Sequence, residues 1–558
     1  MRIPLMNKAK LMLTAVLFVQ ILSACSQSDS TNNQISDEND HVIEYQDRGL
    51  SKYNPPIEIT FVRENSVGLE NLLKLLPGQT LEDNTWSRLY EQVLGIKIKY
   101  DWIAKGDLYY QKLGVALASE DIPAVVRVNA QQLRLLSNAG LIQDLSEVYE
   151  KYATPLTKQI LSQEGTGPFD AATIDGKLMG IPETGSSIEG AQFIWIRTDW
   201  LDRLGMKPPR TMNDLLTISK AFTEKDPDQN GDNDTFGLAL TEYLWDPVMG
   251  ITAFMAGYDA FPNIWIKDDS GKLTYGGIQP EVKEALKVLQ GMYRKGQIDS
   301  EFGIKDGNKV KEQVAAGKIG MLYGQQWGSF LVQVSREHNI NAQWQAFPIV
   351  SVSGEAPKVP LGFSTNQFLA VRKDYKYPEA VVKLFNLHLE KNWGETAEYE
   401  TYYISPLPVW ELSPVTPYPA RKNLEAFRQL DEARRTGDTS VLKDEAKAIQ
   451  KNIDTYLSGD KNKESGWGWE RTYGPSGAFA ILDQYEKNNQ LLYESFVGAP
   501  TETMIEKQAI LNNLQIETFV NIILGRSIDE FDQFVVEWHK LGGEIITTEV
   551  NEWFAGRQ

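Results

Sequence analysis

An α/β fold with more than one lobe is predicted by the length of the chain and by the order of its apolar segments. The chain has 558 residues, which is more than a single hydrophobic core usually holds, so two or more lobes are expected. The runs IEITFVR (57–63), IKIKYDWI (96–103) and PAVVRV (123–128) are typical of strands. Helical stretches separate them, one ending at Gly95 and another over 107–119. This alternation predicts βαβ units and a largely parallel sheet.

Later segments continue the α/β pattern. The run AQFIWIR (191–197) is typical of a buried strand. The stretch 279–296 has Pro near its start and Gly at its end, which predicts a helix. The stretch 527–543 places apolar residues on one face and begins with Ser527 and Glu530, which predicts a helix with a capping box.

Composition and charge narrow the class of function. The formal net charge is −19, with 56 Lys and Arg against 75 Asp and Glu. Nucleic-acid binding is not expected, because phosphate contacts need a concentrated basic surface and the sequence has no basic cluster. The sequence also lacks the motifs H-E-x-x-H, C-x-x-C and G-x-S-x-G. We therefore expect a binding protein and no enzymatic activity.

The N-terminus, MRIPLMNKAKLMLTAVLFVQILSACSQ, has the features of an export signal. Basic residues precede the apolar stretch 11–22, which is short for a membrane span, so residues 1–24 are predicted to be a signal peptide. The motif LSAC resembles the bacterial lipobox, whose cysteine receives diacylglycerol, and Cys25 is the expected lipidation site. The alternative is an ordinary signal peptide with an incidental cysteine. Residues 25–55 are polar and predict a flexible tether.

Six segments of the chain occur in an order that is known from one protein family. They are DGKLMGIP, WIRTDWLDRLG, FPNIWIKDDSGKLTYGGIQPEVKEAL, GKIGMLYGQQW, NQFLAVRKDYKYPEAVVKLFN and GRSIDEFDQFVVEWHKLGG. Together they resemble the extracellular solute-binding proteins (family 1) of bacterial ABC importers, and above all the large oligosaccharide-binding lipoproteins. The resemblance covers nearly everything from about residue 57 onward.

This resemblance implies a type II periplasmic-binding-protein fold, in which two α/β lobes joined by a hinge close on a ligand in the cleft between them. The chain is expected to cross between the lobes near 183–188, 362–366 and 410–413. The implied first lobe comprises residues 56–186 and 365–412, and the implied second lobe comprises residues 187–364 and 413–558.

The resemblance also implies a function. The protein would be a monomeric receptor on the extracytoplasmic face of the cell membrane, anchored by fatty acyl groups such as palmitate. It would capture an oligosaccharide and deliver it to the permease of an ABC importer when the lobes close. Two alternatives stay open, namely a binding protein for a non-sugar solute such as a peptide, and an exported carbohydrate-active enzyme with paired acidic residues.

Sugar rings present an apolar face and a rim of hydroxyls, so a sugar site needs flat aromatic platforms beside short polar groups. The aromatic candidates, each beside Gly, Pro or polar residues, are Trp86, Trp245, Trp265, Trp327, Trp467, Trp469 and Tyr473. The polar candidates, at predicted strand ends or loops, are Asn84, Arg127, Asn129, Glu183, Gln325, Gln326, Asn366 and Arg471. The tryptophans expected in the core are Trp195, Trp200 and Trp538. Arg127 and Arg471 could bind a uronate carboxylate, whereas a neutral sugar is expected if both pair with acidic neighbours.

The segment DPDQNGDNDTFG (226–237) carries most of an EF-hand-like calcium loop. The expected Ca²⁺ ligands are the side chains of Asp226, Asp228, Asn230 and Asp234 and the backbone carbonyl of Asp232. Gly237 occupies the twelfth position, where a bidentate Glu is usual, so the loop predicts a structural clip and not a sensor. The alternative is a solvated acidic loop with Asx turns.

Overall fold

The computed structural model describes residues 48–404, 407–459 and 461–557. The predicted signal peptide, the expected lipidation site Cys25 and the first part of the tether lie outside the described residues. Within the described part of the chain, no helix is long and apolar enough to cross a membrane.

Short strands are distributed along almost the whole chain. They are β1 Ile57–Glu64, β2 Ile96–Ala104, β3 Val125–Val128, β4 Thr173–Ile174, β5 Lys177–Leu178, β6 Ile181–Glu183, β7 Phe193–Arg197, β8 Trp265–Lys267, β9 Leu273–Tyr275, β10 Met321–Gly324, β11 Trp344–Phe347, β12 Val359–Leu361, β13 Gln367–Val371 and β14 Leu491–Tyr493.

Helices separate the strands and form most of the C-terminal third. They are α1 Val67–Leu75, α2 Thr85–Leu89, α3 Gly106–Ala118, α4 Ala130–Asn138, α5 Ser146–Tyr152, α6 Pro155–Leu161, α7 Gly167–Ala172, α8 Thr198–Arg203, α9 Met212–Glu224, α10 Thr252–Ala256, α11 Pro280–Arg294, α12 Gly307–Ala315, α13 Gly328–Val332, α14 Ser335–His338, α15 Glu379–Trp393, α16 Tyr399–Tyr402, α17 Lys422–Thr436, α18 Asp444–Leu457, α19 Trp467–Tyr473, α20 Ala478–Lys487, α21 Glu502–Ile523, α22 Glu530–Trp538 and α23 Glu544–Ala555.

The strand pairing differs from the largely parallel sheet that the sequence predicts. β1 and β2 are parallel, as expected for a βαβ unit, and β12 and β14 are also parallel. The two three-stranded sheets, with the orders β3-β13-β6 and β10-β7-β11, are antiparallel throughout. The prediction failed because β7 and β13 are buried on both faces. They therefore lack the polar alternation by which an antiparallel strand is usually recognised.

The predicted C-terminal helix is also divided. Ser527 does not cap it, because the helix α22 begins at Glu530 and the Ser527 hydroxyl donates to the Asp529 carboxylate at 3.2 Å. The helix is then interrupted at Gly542, whose φ of 133° is readily available only to glycine. The helix α23 follows this interruption. By contrast, the helix predicted over 279–296 is present as α11, with Pro at its first position.

The buried side chains form two separate hydrophobic clusters. The first core draws its residues from 57–181 and 368–415. The second core draws its residues from 188–361 and 424–550. The second contains the three tryptophans that the sequence assigns to the core, since each is at most 2% exposed.

The chain passes between these two cores three times. The connecting segments lie between Ile181 and Ile188, between Leu361 and Phe368, and between Val415 and Leu424. The first two include the stretches 183–188 and 362–366. The third lies after the predicted 410–413, because Leu412 and Val415 are still buried in the first core.

Hydrogen bonds join the three connecting segments to one another. The Gly185 amide donates to Thr365 Oγ1 at 3.2 Å, and the Thr184 hydroxyl donates to the Tyr418 carbonyl at 2.9 Å. A Cβ on Gly185 would lie 2.5 Å from Ser364 Oγ, so the close approach of the first two segments requires glycine there. These segments position the candidate site described next.

Candidate functional site

A cavity of about 470 Å³ lies beside the connecting segments, and we call it the tryptophan cavity. Of the predicted site residues, it brings together Trp245, Gln325, Gln326 and Trp327. Ser186, Ser187, Gly362, Ser364 and Tyr418 of the connecting segments line the same cavity. Aromatic rings, amides and hydroxyls therefore surround one space next to the segments that join the two cores.

The end of β10 positions the amides and one of the aromatic rings. β10 ends at Gly324. The backbone amide of the next residue, Gln325, donates to the Pro247 carbonyl at 3.0 Å. The indole of Trp327 donates to Gln325 Oε1 at 2.9 Å. A Cβ on Gly328 would lie 2.6 Å from Trp195 Nε1, so glycine lets the chain turn closely over the second core. The Trp327 ring is left 36% exposed at the cavity.

Trp245 forms the second aromatic wall of the tryptophan cavity. Its ring packs edge-on against Phe519 with 6.1 Å between centroids, which fixes its orientation from the second core. Trp245 also lines a neighbouring cavity of about 650 Å³, together with Trp265. Trp265 is only 7% exposed and packs against Tyr275, so most of its ring belongs to the core.

Glu494 lines this neighbouring cavity, is half-buried and makes no ion pair among the described residues. Its Oε1 accepts hydrogen bonds from the Trp265 amide at 2.7 Å and the Phe496 amide at 3.3 Å. Burial raises the pKa of Glu494 to about 8. The Glu494 carboxyl group therefore anchors the backbone at the start of β8.

Arg127 and Asn129 line a different cavity, of about 400 Å³, which we call the arginine cavity. The Arg127 guanidinium pairs with Glu183, whose Oε2 lies 2.8 Å from Nε. Glu183 Oε1 also accepts the Thr416 amide at 2.6 Å, which ties the first and third connecting segments together. Asn129 caps α4 by accepting the Gln132 amide at 2.8 Å. Arg127 and Glu183 thus neutralise each other across the connecting segments.

Asn84 and Trp86 lie in the first core and reach none of these cavities. Asn84 is 1% exposed, and its side chain caps α2 by accepting the amides of Trp86 and Ser87. Trp86 has no exposed surface; its ring stacks on His388 at 4.5 Å and its indole donates to the Tyr402 carbonyl. Both side chains therefore stabilise the fold here. The prediction that Asn84 and Trp86 bind the ligand is therefore corrected, because both side chains are buried inside the protein.

The motif GWGWERTYG forms α19, which packs behind the wall of the tryptophan cavity: the Thr472 hydroxyl donates to the Gln326 carbonyl at 3.2 Å. Trp467 is fully buried, and Tyr473 is 5% exposed and stacks on Phe479. Trp469 packs against Phe330 and Tyr473. Arg471 pairs with Glu470 at 2.9 Å. These four predicted site residues pack mainly within the protein.

Asn366 is exposed and lines none of the three cavities described above. Conversely, sequence reasoning missed Glu189, Asn263, Phe363 and Tyr418, which do line the tryptophan cavity. For Glu189 a signal existed, because it follows the small residues that predict the first connecting segment. Phe363 also carries a signal, since it lies in the predicted crossing 362–366, whereas the fold brings Asn263 and Tyr418 to the cavity.

The acidic loop brings several predicted calcium ligands together. The Asn230 amide group donates to Asp228 Oδ2 at 3.0 Å and to Asp234 Oδ1 at 3.2 Å. Asp226 accepts the backbone amides of Asn230 and Gly231, each at 3.1 Å. Burial and the neighbouring Asp226 raise the pKa of Asp228, whereas hydrogen bonds from Asn230 and Lys318 lower that of Asp234.

The donor chemistry of this loop fits a hard cation. Asp228 Oδ1 is buried and has no hydrogen-bond partner among the described residues, so one carboxylate oxygen is available. Against this, no group of three or more His, Cys, Asp or Glu side chains in the described part of the chain is already arranged to hold a metal ion. Lys318 lies 3.1 Å from Asp234 Oδ2 and supplies part of the compensating charge.

Comparisons with known proteins agree with this fold. The sequence profile of the family described as bacterial extracellular solute-binding protein matches residues 75–392. The polygalacturonan/rhamnogalacturonan-binding protein YtcQ of Bacillus subtilis (strain 168) is 29% identical over 238 residues, which are 42% of this chain and 45% of YtcQ. The lipoprotein LipO of the same strain is 25% identical over 488 residues, which are 83% of this chain and 87% of LipO. The match thus spans less than half of YtcQ and most of LipO.

Solved structures are similar over nearly the whole chain. The alginate-binding protein AlgQ2, solved without calcium ion, has a TM-score of 0.60 at 15% identity and covers 90% of this chain and 99% of its own. An EF-hand mutant of FusA from Streptococcus pneumoniae, in complex with fructo-nystose, has a TM-score of 0.56 at 16% identity and covers 90% and 100%. The predicted fold class is confirmed. Because the family profile matches more than half of its residues, the chain belongs to the bacterial extracellular solute-binding protein family.

Proposed function

We propose that the chain is the lipid-anchored substrate-binding component of an ABC importer, which captures an oligosaccharide and delivers it to a membrane permease. The family and the relatives support this proposal. YtcQ is named for binding polygalacturonan and rhamnogalacturonan, and FusA is named as a fructooligosaccharide ABC transporter substrate-binding protein. Both names describe polymers or oligomers of sugars.

The tryptophan cavity is the single observation that carries the proposal. Its two aromatic walls, Trp245 and Trp327, suit the apolar faces of sugar rings. The amides of Gln325 and Gln326 and the hydroxyls of the connecting segments suit the polar rim of a sugar. A cavity of about 470 Å³ has the size of a small-ligand site and holds part of an oligosaccharide.

Intrinsic tryptophan fluorescence tests this function. The full chain is titrated with a panel of oligosaccharides, and a saturable change is expected with at least one of them because two tryptophans line the cavity. A panel of peptides serves as the control class. Saturation by a peptide and not by any sugar would contradict the proposal in favour of a non-sugar receptor. Release of reducing sugar by the purified chain would contradict it in favour of an enzyme.

Delivery to the permease is proposed to follow closure of two lobes, with residues 56–186 and 365–415 in one and 187–364 and 424–558 in the other. The two separate cores and the three segments that connect them support this division. A ligand that contacts both lobes favours the closed form, and the permease then distinguishes closed from open receptors.

Anchoring is proposed to occur through acylation of Cys25. The sequence motif supports it, and so does the similarity to a lipoprotein. Mass spectrometry of the protein isolated from membranes should find a modified N-terminal cysteine and no residues before it. An unmodified Cys25, or a chain that partitions into the aqueous phase of a detergent extraction, would contradict anchoring.

We also propose that the loop 226–237 holds a structural Ca²⁺ through Asp226, Asp228, Asn230 and Asp234, with the Asp232 carbonyl. The free Asp228 oxygen and the pattern of the loop support the proposal. The name of the FusA structure, an EF-hand mutant, is in accord with it. When bound, the ion would offset the repulsion between three carboxylates and so stabilise the loop.

A further inference from the structure

Glu189 is the only charged side chain that lines the tryptophan cavity, among the described residues. It follows the first connecting segment and faces the amides of Gln326 and Asn423. Its Oε2 accepts hydrogen bonds from Asn423 Nδ2 at 3.0 Å and from Gln326 Nε2 at 3.4 Å. The carboxyl group is therefore held in a fixed orientation at the cavity wall.

The second oxygen of this carboxyl group has no partner. Glu189 Oε1 is buried and makes no hydrogen bond within the described residues. The Ser186 hydroxyl, which lies beside the carboxyl, donates to the Ala420 carbonyl instead. A buried acceptor without a donor costs free energy, so a ligand hydroxyl that donates to Oε1 adds a favourable hydrogen bond.

The cations near the cavity are already paired with acidic side chains. Lys422 Nζ lies 2.5 Å from Glu445 Oε1, and Arg421 Nη2 lies 2.5 Å from Glu486 Oε1. Glu189 and Glu445 together with Lys422 make a group of net charge −1 when both carboxyls are ionised. The described residues thus leave no unpaired basic side chain on the wall of the tryptophan cavity.

From this arrangement we infer that the site takes neutral oligosaccharides and rejects uronates, with Glu189 as the specificity-determining residue. The inference deepens the proposed function and rests on it. A uronate placed in the cavity would bury a carboxylate without a cation and beside another carboxyl group. Burial raises the pKa of Glu189, and in its protonated form the group can still donate to a sugar hydroxyl. In neither protonation state does it supply the positive charge that a uronate needs.

Isothermal titration calorimetry with the full chain in detergent micelles tests the inference. The first ligand set consists of oligogalacturonides of defined length. The second set consists of the same molecules after reduction of their carboxyl groups to hydroxymethyl groups, together with a panel of other neutral oligosaccharides. We expect a neutral ligand to bind at least about tenfold tighter than any uronate, because burying one unpaired charge costs that much or more.

Three variants identify the role of the carboxyl group. Glu189→Gln removes the charge but keeps the shape, and should narrow the preference for neutral over uronate ligands. Glu189→Ala removes the hydrogen bond and should weaken neutral binding about tenfold. Glu242→Gln is the matched control, since Glu242 is exposed near Trp245 in sequence but does not line the cavity, and it should change neither value.

The possible failures can be told apart. The inference would be overturned if uronates bound as tightly as their reduced counterparts. It would also be overturned if Glu189→Gln and Glu189→Ala left the preference for neutral over uronate ligands unchanged. Either result would leave the proposed receptor function standing. Binding of neither ligand set nor any panel member by the wild-type chain would overturn the proposed function itself, and the inference with it.

Discussion

At the scale of single residues, burial separates tryptophans that look alike in sequence. Trp86 and Trp327 both stand among polar neighbours, yet Trp86 has no exposed surface and Trp327 is 36% exposed. Trp86 is covered by His388, which is 302 positions away along the chain and stacks on it. Local sequence therefore could not assign its role. The binding role of Trp327 stays a prediction, which its place on the wall of the tryptophan cavity supports.

Replacing these two tryptophans should have opposite effects. Trp86→Ala should lower the free energy of unfolding by about 3–5 kcal/mol, because it leaves a large cavity in the first core, while the folded protein keeps its sugar affinity. Trp327→Ala should weaken sugar binding and leave the melting temperature nearly unchanged, because its ring is partly exposed. Calorimetric unfolding and sugar titration of both variants provide the measurements. Loss of sugar affinity in Trp86→Ala without loss of stability, or loss of stability in Trp327→Ala without loss of sugar affinity, would contradict the account.

Glu494 should make stability depend on pH. Its pKa is about 8 in the folded protein against an ordinary value of 4.5. Between these values the unfolded chain releases a proton that the folded chain holds, so stability falls as pH rises, by at most about 1.4 kcal/mol per pH unit. The melting temperature of Glu494→Gln minus that of the wild type should therefore increase as the pH rises from 5 to 8. A difference that is constant over this range would show that Glu494 is ionised in the fold.

At the scale of elements, the sequence predicted where many strands and helices lie but not how the strands pair. The strands at 57–63 and 96–103 match β1 and β2 closely, since their apolar periodicity is strong. The partners of β13 are β3 and β6, and its residues Phe368 and Leu369 pair with residues 186 to 242 positions earlier. Such pairing depends on the packing of the whole core, which local patterns do not encode.

The acidic loop is the element whose stability should depend on an ion, since we propose that it holds Ca²⁺. Calcium should raise the melting temperature of the chain relative to a chelator, because ion binding to the folded state alone adds to its stability. Asp228→Asn should abolish most of this increase, since Asp228 supplies the unpaired buried oxygen. Asp202→Asn, a change at an exposed acidic residue outside the loop, should retain it. An equal increase in both variants would locate the calcium effect elsewhere.

At the scale of the whole molecule, three segments join the two cores in the described part of the chain, and we propose that one core moves relative to the other. The hydrogen bonds between Gly185 and Thr365 and between Thr184 and Tyr418 hold the segments together while leaving the two cores as separate packing units. The length of the chain and the small residues at 183–188 predict two lobes, and the lobe boundaries stay a prediction. The third segment was predicted too early because nothing local shows that Val415 is still buried.

Ligand-induced closure should be visible in solution scattering. Saturating oligosaccharide should decrease the radius of gyration of the chain from residue 26 onward, because the closed form is more compact. The same chain with a non-binding sugar is the control. A radius of gyration that stays constant at saturation would contradict closure as the signal to the permease, without bearing on where the sugar binds.

The most direct test of the central claim is a crystal structure of the protein with the oligosaccharide that it binds most tightly. We predict a sugar ring against Trp327 or Trp245, hydroxyls bonded to Gln325 or Gln326, and one hydroxyl on Glu189. A sugar bound outside the tryptophan cavity, with that cavity empty, would contradict the account.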